Sequence, residues 1–292
     1  MDDKENIRFA FFGTGNFAKG ILTEIKSRGL IPSLVVTSPD APAGRKHELT
    51  ASPVKLWAME NKIPLIQPET LKNFSIDGSF ELFLVADYGK IIPRSVIDIP
   101  RLGTLCTHQS LLPKYRGTSP IQYAIRNGDT ETGVSIMMID EKVDHGKILA
   151  QEKEAIHNND TSSTLAERLS KVGGRMIAEI FEHLDESIKN AKVQNEDEVT
   201  FTKLINSKDA FIEKEIVLGN TTKENAVSAE RLVRAMNPEP IAWTELNVNG
   251  KELRIKILSA KIVDEKFVPE IIQPAGKKEM KWQDFLRGNR IG

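Results

Sequence analysis

Residues able to do chemistry concentrate between Gly103 and Leu149. His108 follows the short apolar run Thr104-Leu105-Cys106-Thr107 and precedes Gln109-Ser110-Leu111-Leu112-Pro113. Asp144 stands in Val143-Asp144-His145-Gly146-Lys147, after a second apolar run, Gly133 to Ile139. An imidazole moves protons near neutral pH, and a carboxylate beside it orients the ring and favours its charged form. A His and an Asp at neighbouring strand ends therefore make an acid–base pair one available reading. A structural histidine and an ordinary turn aspartate are the other, and the residues alone leave both open.

A second candidate lies near the front. Gly13-Thr14-Gly15-Asn16-Phe17-Ala18 fits the G-x-G-x-x-A pattern of a dinucleotide-binding turn, and Asp40 follows at about the distance of a ribose-binding acid. A tight strand-to-helix turn serving another ligand fits equally, and nothing downstream reads as an oxidoreductase. A third candidate is the basic end of the chain. Lys277, Lys278, Lys281, Arg287 and Arg290 face only Glu279 and Asp284 there. Such a tail suits phosphate contact or a plain solvated face.

The elements around these residues alternate. Arg8 to Phe12, Leu34 to Thr37, Phe83 to Ala86, Gly103 to Thr107 and Gly133 to Ile139 read as buried strands. Asn16 to Ser27, Val54 to Asn61 and Ser163 to Leu184 read as helices. Continuous apolar strands separated by helices predict a parallel sheet covered on both faces, which puts His108 on the rim where such sheets bind ligands. Asp185 to Thr200 is polar and weakly periodic and reads as a linker. Beyond it come alternating strands, an Asn249-Gly250 hairpin turn and one helix near Ser228 to Met236, the pattern of a small β-barrel. The expected division is 1–184, a linker over 185–200, and 201–292.

Composition narrows the classes. The 292 residues carry 40 Lys+Arg and 41 Asp+Glu, a formal charge of −1, so neither a wholly basic nucleic-acid coat nor a disordered polyelectrolyte fits. The imbalance is local: residues 201–292 hold 16 basic against 13 acidic side chains. One cysteine excludes an internal disulfide and a Cys-rich zinc site, so no metal is expected. No apolar run approaches the ~18 residues of a membrane span, and the acidic start lacks a signal peptide's apolar run, so a cytoplasmic location is expected.

The string His108-Gln109-Ser110-Leu111-Leu112-Pro113-Lys114-Tyr115-Arg116-Gly117, with Gly128-Asp129, Thr132-Gly133-Val134-Ser135-Ile136-Met137 and then Asp144-His145-Gly146, closely resembles the 10-formyltetrahydrofolate-dependent formyltransferases. Val36 to Arg45, Ser52 to Lys55, Ile63 to Glu69, Tyr88 to Pro93, Arg231 to Pro238, Gln273 to Met280 and Asp284 to Gly288 are similar to the members that formylate methionyl-initiator tRNA. The resemblance implies a Rossmann-like parallel-sheet catalytic domain followed by an OB-like β-barrel domain. It implies 10-formyltetrahydrofolate as formyl donor, no metal, and a monomer working without a membrane. His108 and Asp144 fall on the catalytic pair. Ser110, Leu111, Leu112 and Pro113, with Tyr88, Gly89 and Ile91, fall on folate-contacting positions. Arg45, Lys46, Lys277, Lys278 and Arg287 fall on tRNA-facing ones.

One position departs from the pattern. The family has Asn two residues before the His, and this chain has Cys106. A thiol is a far poorer donor than an amide, and losing an oxyanion donor costs roughly 10²–10³-fold in rate. Cys106 thus admits three readings: a slower or compensated enzyme, a folate- or tRNA-binding relative with little catalysis, or a thiol activated by His108 that carries the formyl group as a thioester. His145 and Lys147 also replace the family's usual residues beside Asp144. A nucleotide-sugar N-formyltransferase shares the first domain and is the alternative enzyme, but the closing segments match the tRNA-directed members.

Overall fold

The computed structural model describes residues 7–43, 48–72, 74–76 and 78–291. Its contacts divide the chain into two compact units. The first comprises Met1–Arg116, Gly133–Glu154 and Ala166–Phe201, and the second Gly117–Thr132, Ala155–Leu165 and Thr202–Gly292. The chain thus crosses between units several times, whereas a single break over 185–200 was expected. That polar stretch is not an open linker. It holds a short helix, Leu184–Lys189, a bridge between Ile148 and Lys192, and the buried Gln194. It is tied down by backbone bonds at Lys192 and Thr200 and by the Gln194 side chain, none of which needs an apolar period.

The first unit is built on a seven-stranded sheet. In chain order its strands are β1 (Phe9–Gly13), β2 (Leu34–Val36), β3 (Leu65–Ile66), β4 (Leu82–Ala86), β5 (Thr104–His108), β6 (Glu131–Met138) and β7 (Ile148–Ala155). They lie side by side as β7-β6-β5-β4-β1-β2-β3. Pairing is parallel from β3 through β5. The β5–β6 pair is antiparallel, with Leu105 opposite Met138 and His108 opposite Ser135. The sheet is therefore mixed rather than wholly parallel. Six consecutive buried residues in β6 explain the misreading, because an apolar run reports burial of both faces and not strand direction.

Helix α1 (Asn16–Ser27) buries Phe17, Ala18, Ile21, Leu22 and Ile25, one stripe at helical spacing. Helix α2 (Pro53–Glu60) starts at Ser52, whose hydroxyl accepts the Lys55 amide at 3.0 Å, with Pro53 at the first helical position. The strands β1 and β4 are buried at every residue. Phe12, Phe83, Val85 and Tyr88 belong to one apolar cluster that also takes in Val36, Leu71 and Val96.

The second unit contains a four-stranded antiparallel sheet of β8 (Ala242–Val248), β9 (Lys251–Val263), β10 (Lys266–Pro274) and β11 (Met280–Lys281). Asn249 and Gly250 both have positive φ, 53° and 82°, as a two-residue hairpin requires. Helix α3 (Pro120–Asn127) packs on helix α4 (Lys223–Ala235), which also packs on β9. This small β-domain with one principal helix is the one the alternating pattern predicts.

Candidate functional site

The carboxyl ends of β1, β4 and β5 adjoin, with Gly13 opposite Ala86 and Val85 opposite Cys106. Strand alternation puts Cys106 and His108 on one face of β5. His108 is 7% exposed. Its Nε2 lies 2.9 Å from the Tyr115 carbonyl, and its Nδ1 lies 3.6 Å from Asp144 Oδ2. A carbonyl only accepts, so Nε2 carries the hydrogen in that contact. Nδ1 is then the nitrogen open to a proton, and it faces a carboxylate able to stabilise the imidazolium that results.

Backbone shape makes this possible. Tyr115 and Asp144 have φ of 63° and 50°, the left-handed region that non-glycine residues seldom occupy. Gly146 explains the glycine of the Asp144-His145-Gly146 motif: a Cβ there would stand 1.8 Å from the Met138 carbonyl oxygen. His145 turns away to Asp140, with Nδ1 2.6 Å from Oδ2. Lys147 is exposed, and its carbonyl accepts the Met138 amide at 2.9 Å.

Cys106 packs at the border of the apolar cluster. Burial and then the neighbouring Asp144 charge push its thiol well above the ordinary value. This environment opposes the reading in which His108 activates the thiol. The thiol stays protonated and is neither a nucleophile nor a strong donor.

The loop after His108 is tied internally. Ser110 Oγ donates to the Lys114 carbonyl at 2.5 Å, and the Ser110 carbonyl accepts from Ser135 Oγ at 2.6 Å. The Leu112 amide donates to Ser135 Oγ at 3.0 Å, and its carbonyl accepts from Gln151 at 2.8 Å. Leu112 is itself buried. Ser110 and Leu112 thus shape the loop, and Leu111, Leu112 and Pro113 line a shallow pocket with Gln151, Lys153 and Thr200. Across the site Tyr88 is buried, edge-on to Phe12 at 5.6 Å, and burial pushes its phenol up to about 12. Gly89 has φ 71°, and Ile91 is 94% exposed. Of these three, Gly89 and Ile91 present surface.

The glycine turn is occupied by the chain itself. A Cβ on Gly15 would lie 2.0 Å from Asp87 Oδ2, and the Asp87 carboxylate accepts a hydrogen bond from the Gly15 backbone. This carboxylate sits at the α1 N-terminus, where a nucleotide phosphate would otherwise bind. Asp87 is exposed on one side, yet burial of its carboxyl pushes the pKa up to about 6. Asp40 is also committed: it pairs with Lys55 at 2.7 Å and accepts from Gln67 at 2.9 Å.

Among the predicted tRNA-facing residues, Arg45 and Lys46 lie outside the described residues. Lys277, Lys278 and Arg287 are exposed in the second unit, Arg287 3.1 Å from Asp284. Among the described residues no group of three or more His, Cys, Asp or Glu could hold a metal, and no helix is long and apolar enough to cross a membrane. Residue patterns missed Gln151, Gln194 and Thr200, lone polar side chains whose partners are distant in sequence.

Residues 6–181 match the family model for formyl transferase, and 222–270 match that for the formyl transferase C-terminal domain. A methionyl-tRNA formyltransferase of Nitrosomonas europaea is 38% identical over 88% of this chain and 77% of its own length. Another, of Agathobacter rectalis, is 36% identical over 94% and 87%. Among solved structures, a 4-N formyltransferase from Francisella tularensis superposes with TM-score 0.63 at 18% identity, covering 88% of this chain and all of its own. The N-formyltransferase from Helicobacter canadensis, solved with folinic acid and dTDP-3-aminofucose, gives 0.60 at 18% identity over 88% of each chain. At such identity these two establish the fold. With the family model spanning most of the first 181 residues and curated relatives above 30% identity over nearly all of the chain, the protein belongs to the formyl transferase family.

Proposed function

We propose that this enzyme transfers the formyl group of 10-formyltetrahydrofolate to the α-amine of methionyl-initiator tRNA, as a cytoplasmic monomer supporting translation initiation. The observation that carries the reading is the joint match of both halves of the chain to methionyl-tRNA formyltransferases, with the His108–Asp144 pair retained.

The amine nitrogen attacks the formyl carbon, forming a C–N bond, and the formyl oxygen gains negative charge. His108 Nδ1 takes the proton that the amine sheds, and Asp144 stabilises the imidazolium. Collapse restores the carbonyl, breaks the bond to the folate N10, and returns the proton from His108 to that nitrogen, leaving tetrahydrofolate. Leu111 and Pro113, on the loop shaped by Ser110 and Leu112, contact the folate, as do Gly89 and Ile91 beside the buried Tyr88. Arg45, Lys46, Lys277, Lys278 and Arg287 contact tRNA phosphates, which position the acceptor end without reading sequence.

Cys106 favours a second reading, a folate- and tRNA-binding member with little turnover, because a protonated thiol replaces the amide donor aimed at the oxyanion. The deciding experiment measures formyl transfer from 10-formyltetrahydrofolate to methionyl-initiator tRNA, alongside a dTDP-amino sugar as acceptor. Transfer to the tRNA alone supports the leading reading. Folate binding without transfer supports the second, and transfer to the sugar overturns both.

A further inference from the structure

Two non-glycine residues in the left-handed region, Tyr115 and Asp144, define the two sides of the His108 ring. Such backbone is strained and persists only where surrounding contacts over-determine it. One short segment supplies contacts to both. Gln194, 6% exposed, donates from Nε2 to the carbonyls of Asp144 and Gly146, each at 2.9 Å. Its Oε1 accepts from Arg116 Nε at 3.0 Å and Nη2 at 2.8 Å. Arg116, 2% exposed, also reaches Glu196 at 2.7 Å. Six residues after Gln194, Thr200 Oγ1 accepts the Tyr115 amide at 2.8 Å, and the Thr200 carbonyl accepts the Arg116 amide at 2.9 Å.

We infer that Gln194–Thr200 is a positioning strap that sets the separation and tautomer of the His108–Asp144 pair, with Gln194 and Thr200 as its positioning residues. The inference rests on the proposed use of that pair in proton transfer. Gln194 is chemically specified for the task. Both its donors and its acceptor are used, and a carboxylate at this position would keep Arg116 while facing two carbonyl oxygens it cannot bond. Thr200 holds the carbonyl that fixes the hydrogen on Nε2. The segment bonds to two loops, at Tyr115 and at Asp144, that lie 29 residues apart in the chain.

The test compares Gln194→Glu and Thr200→Val in the full chain. The readouts are the single-turnover formyl-transfer rate, the folate dissociation constant, Tm, and the His108 imidazole nitrogen resonances across pH. The strap predicts rates reduced at least 10-fold in both variants, unchanged folate affinity and displaced His108 resonances. Thr200→Ser should restore the Thr200→Val loss. Gln194→Glu should keep its Tm within a few degrees, because the Arg116 pairing survives. Wild-type resonances in both variants would overturn the inference, as would displaced resonances with wild-type rates. If the wild-type enzyme transfers no formyl group to methionyl-tRNA, the proposed function fails, and the resonances still decide the strap.

Discussion

Asp144→Asn removes the charge opposite His108 Nδ1 while keeping the side-chain shape. The two groups are 3.6 Å apart, with side chains 8% and 16% exposed, so bulk-water screening does not apply. At an effective dielectric near 20, unit charges at that separation attract by about 4–5 kcal/mol. This attraction exists only once His108 has taken the proton, so it acts on the transition state and not on substrate binding. The neutral amide keeps a dipole facing the ring, which leaves an expected loss of about 10³-fold in kcat, at ~1.4 kcal/mol per decade, with KM for folate nearly unchanged. An asparagine NH₂ would also donate to Nδ1 and occupy the position where the proton must arrive. Single-turnover transfer to methionyl-initiator tRNA measures the effect directly, with the pH profile recorded for both proteins. A variant within 10-fold of wild type would refute the role assigned to the pair. So would a loss confined to KM.

Three further outcomes follow from the same geometry. Cys106→Asn should raise kcat by about 10²-fold or more if the oxyanion lacks a donor, while Cys106→Ala should change it less than about threefold because the thiol is held protonated; an inactive Cys106→Ala would revive the thiol nucleophile. Asp87→Asn should stabilise the protein increasingly as pH rises from about 4 to 6 and then level off. Its folded carboxyl, at about 6, binds protons that the unfolded chain has already released, so ionisation favours unfolding through that window. Urea midpoints across that range check the sign. Gly146→Ala should lower both Tm and kcat, because its Cβ meets the Met138 carbonyl at 1.8 Å and the strand or the Asp144 loop must shift; an unchanged kcat would detach that loop from the chemistry.

The order of elements was legible in residue types. Asn16–Ser27 begins and ends as its apolar stripe predicts, and Asn249-Gly250 turns the hairpin, because both depend on local periodicity and local φ. His108 and Asp144 were identifiable from motif spacing, and they stand side by side. Cys106 was visible as a departure, but its protonation was not. The thiol's environment comes from apolar neighbours on other strands and from Asp144, 38 positions along the chain. Strand direction at β6 was likewise hidden, since hydrophobicity records burial and carries no sign for orientation. The role of the glycine turn stayed open because only tertiary structure brings Asp87 onto the α1 N-terminus. Gln194 lay in a stretch that reads as polar linker, and its four hydrogen bonds reach residues about 50 and 78 positions away. Sequence by itself determined what repeats within a turn or a strand and which chemical groups are on hand. The fold decided which of those groups meet, because hydrogen bonding and desolvation act through space over a few ångströms, whatever the distance along the chain.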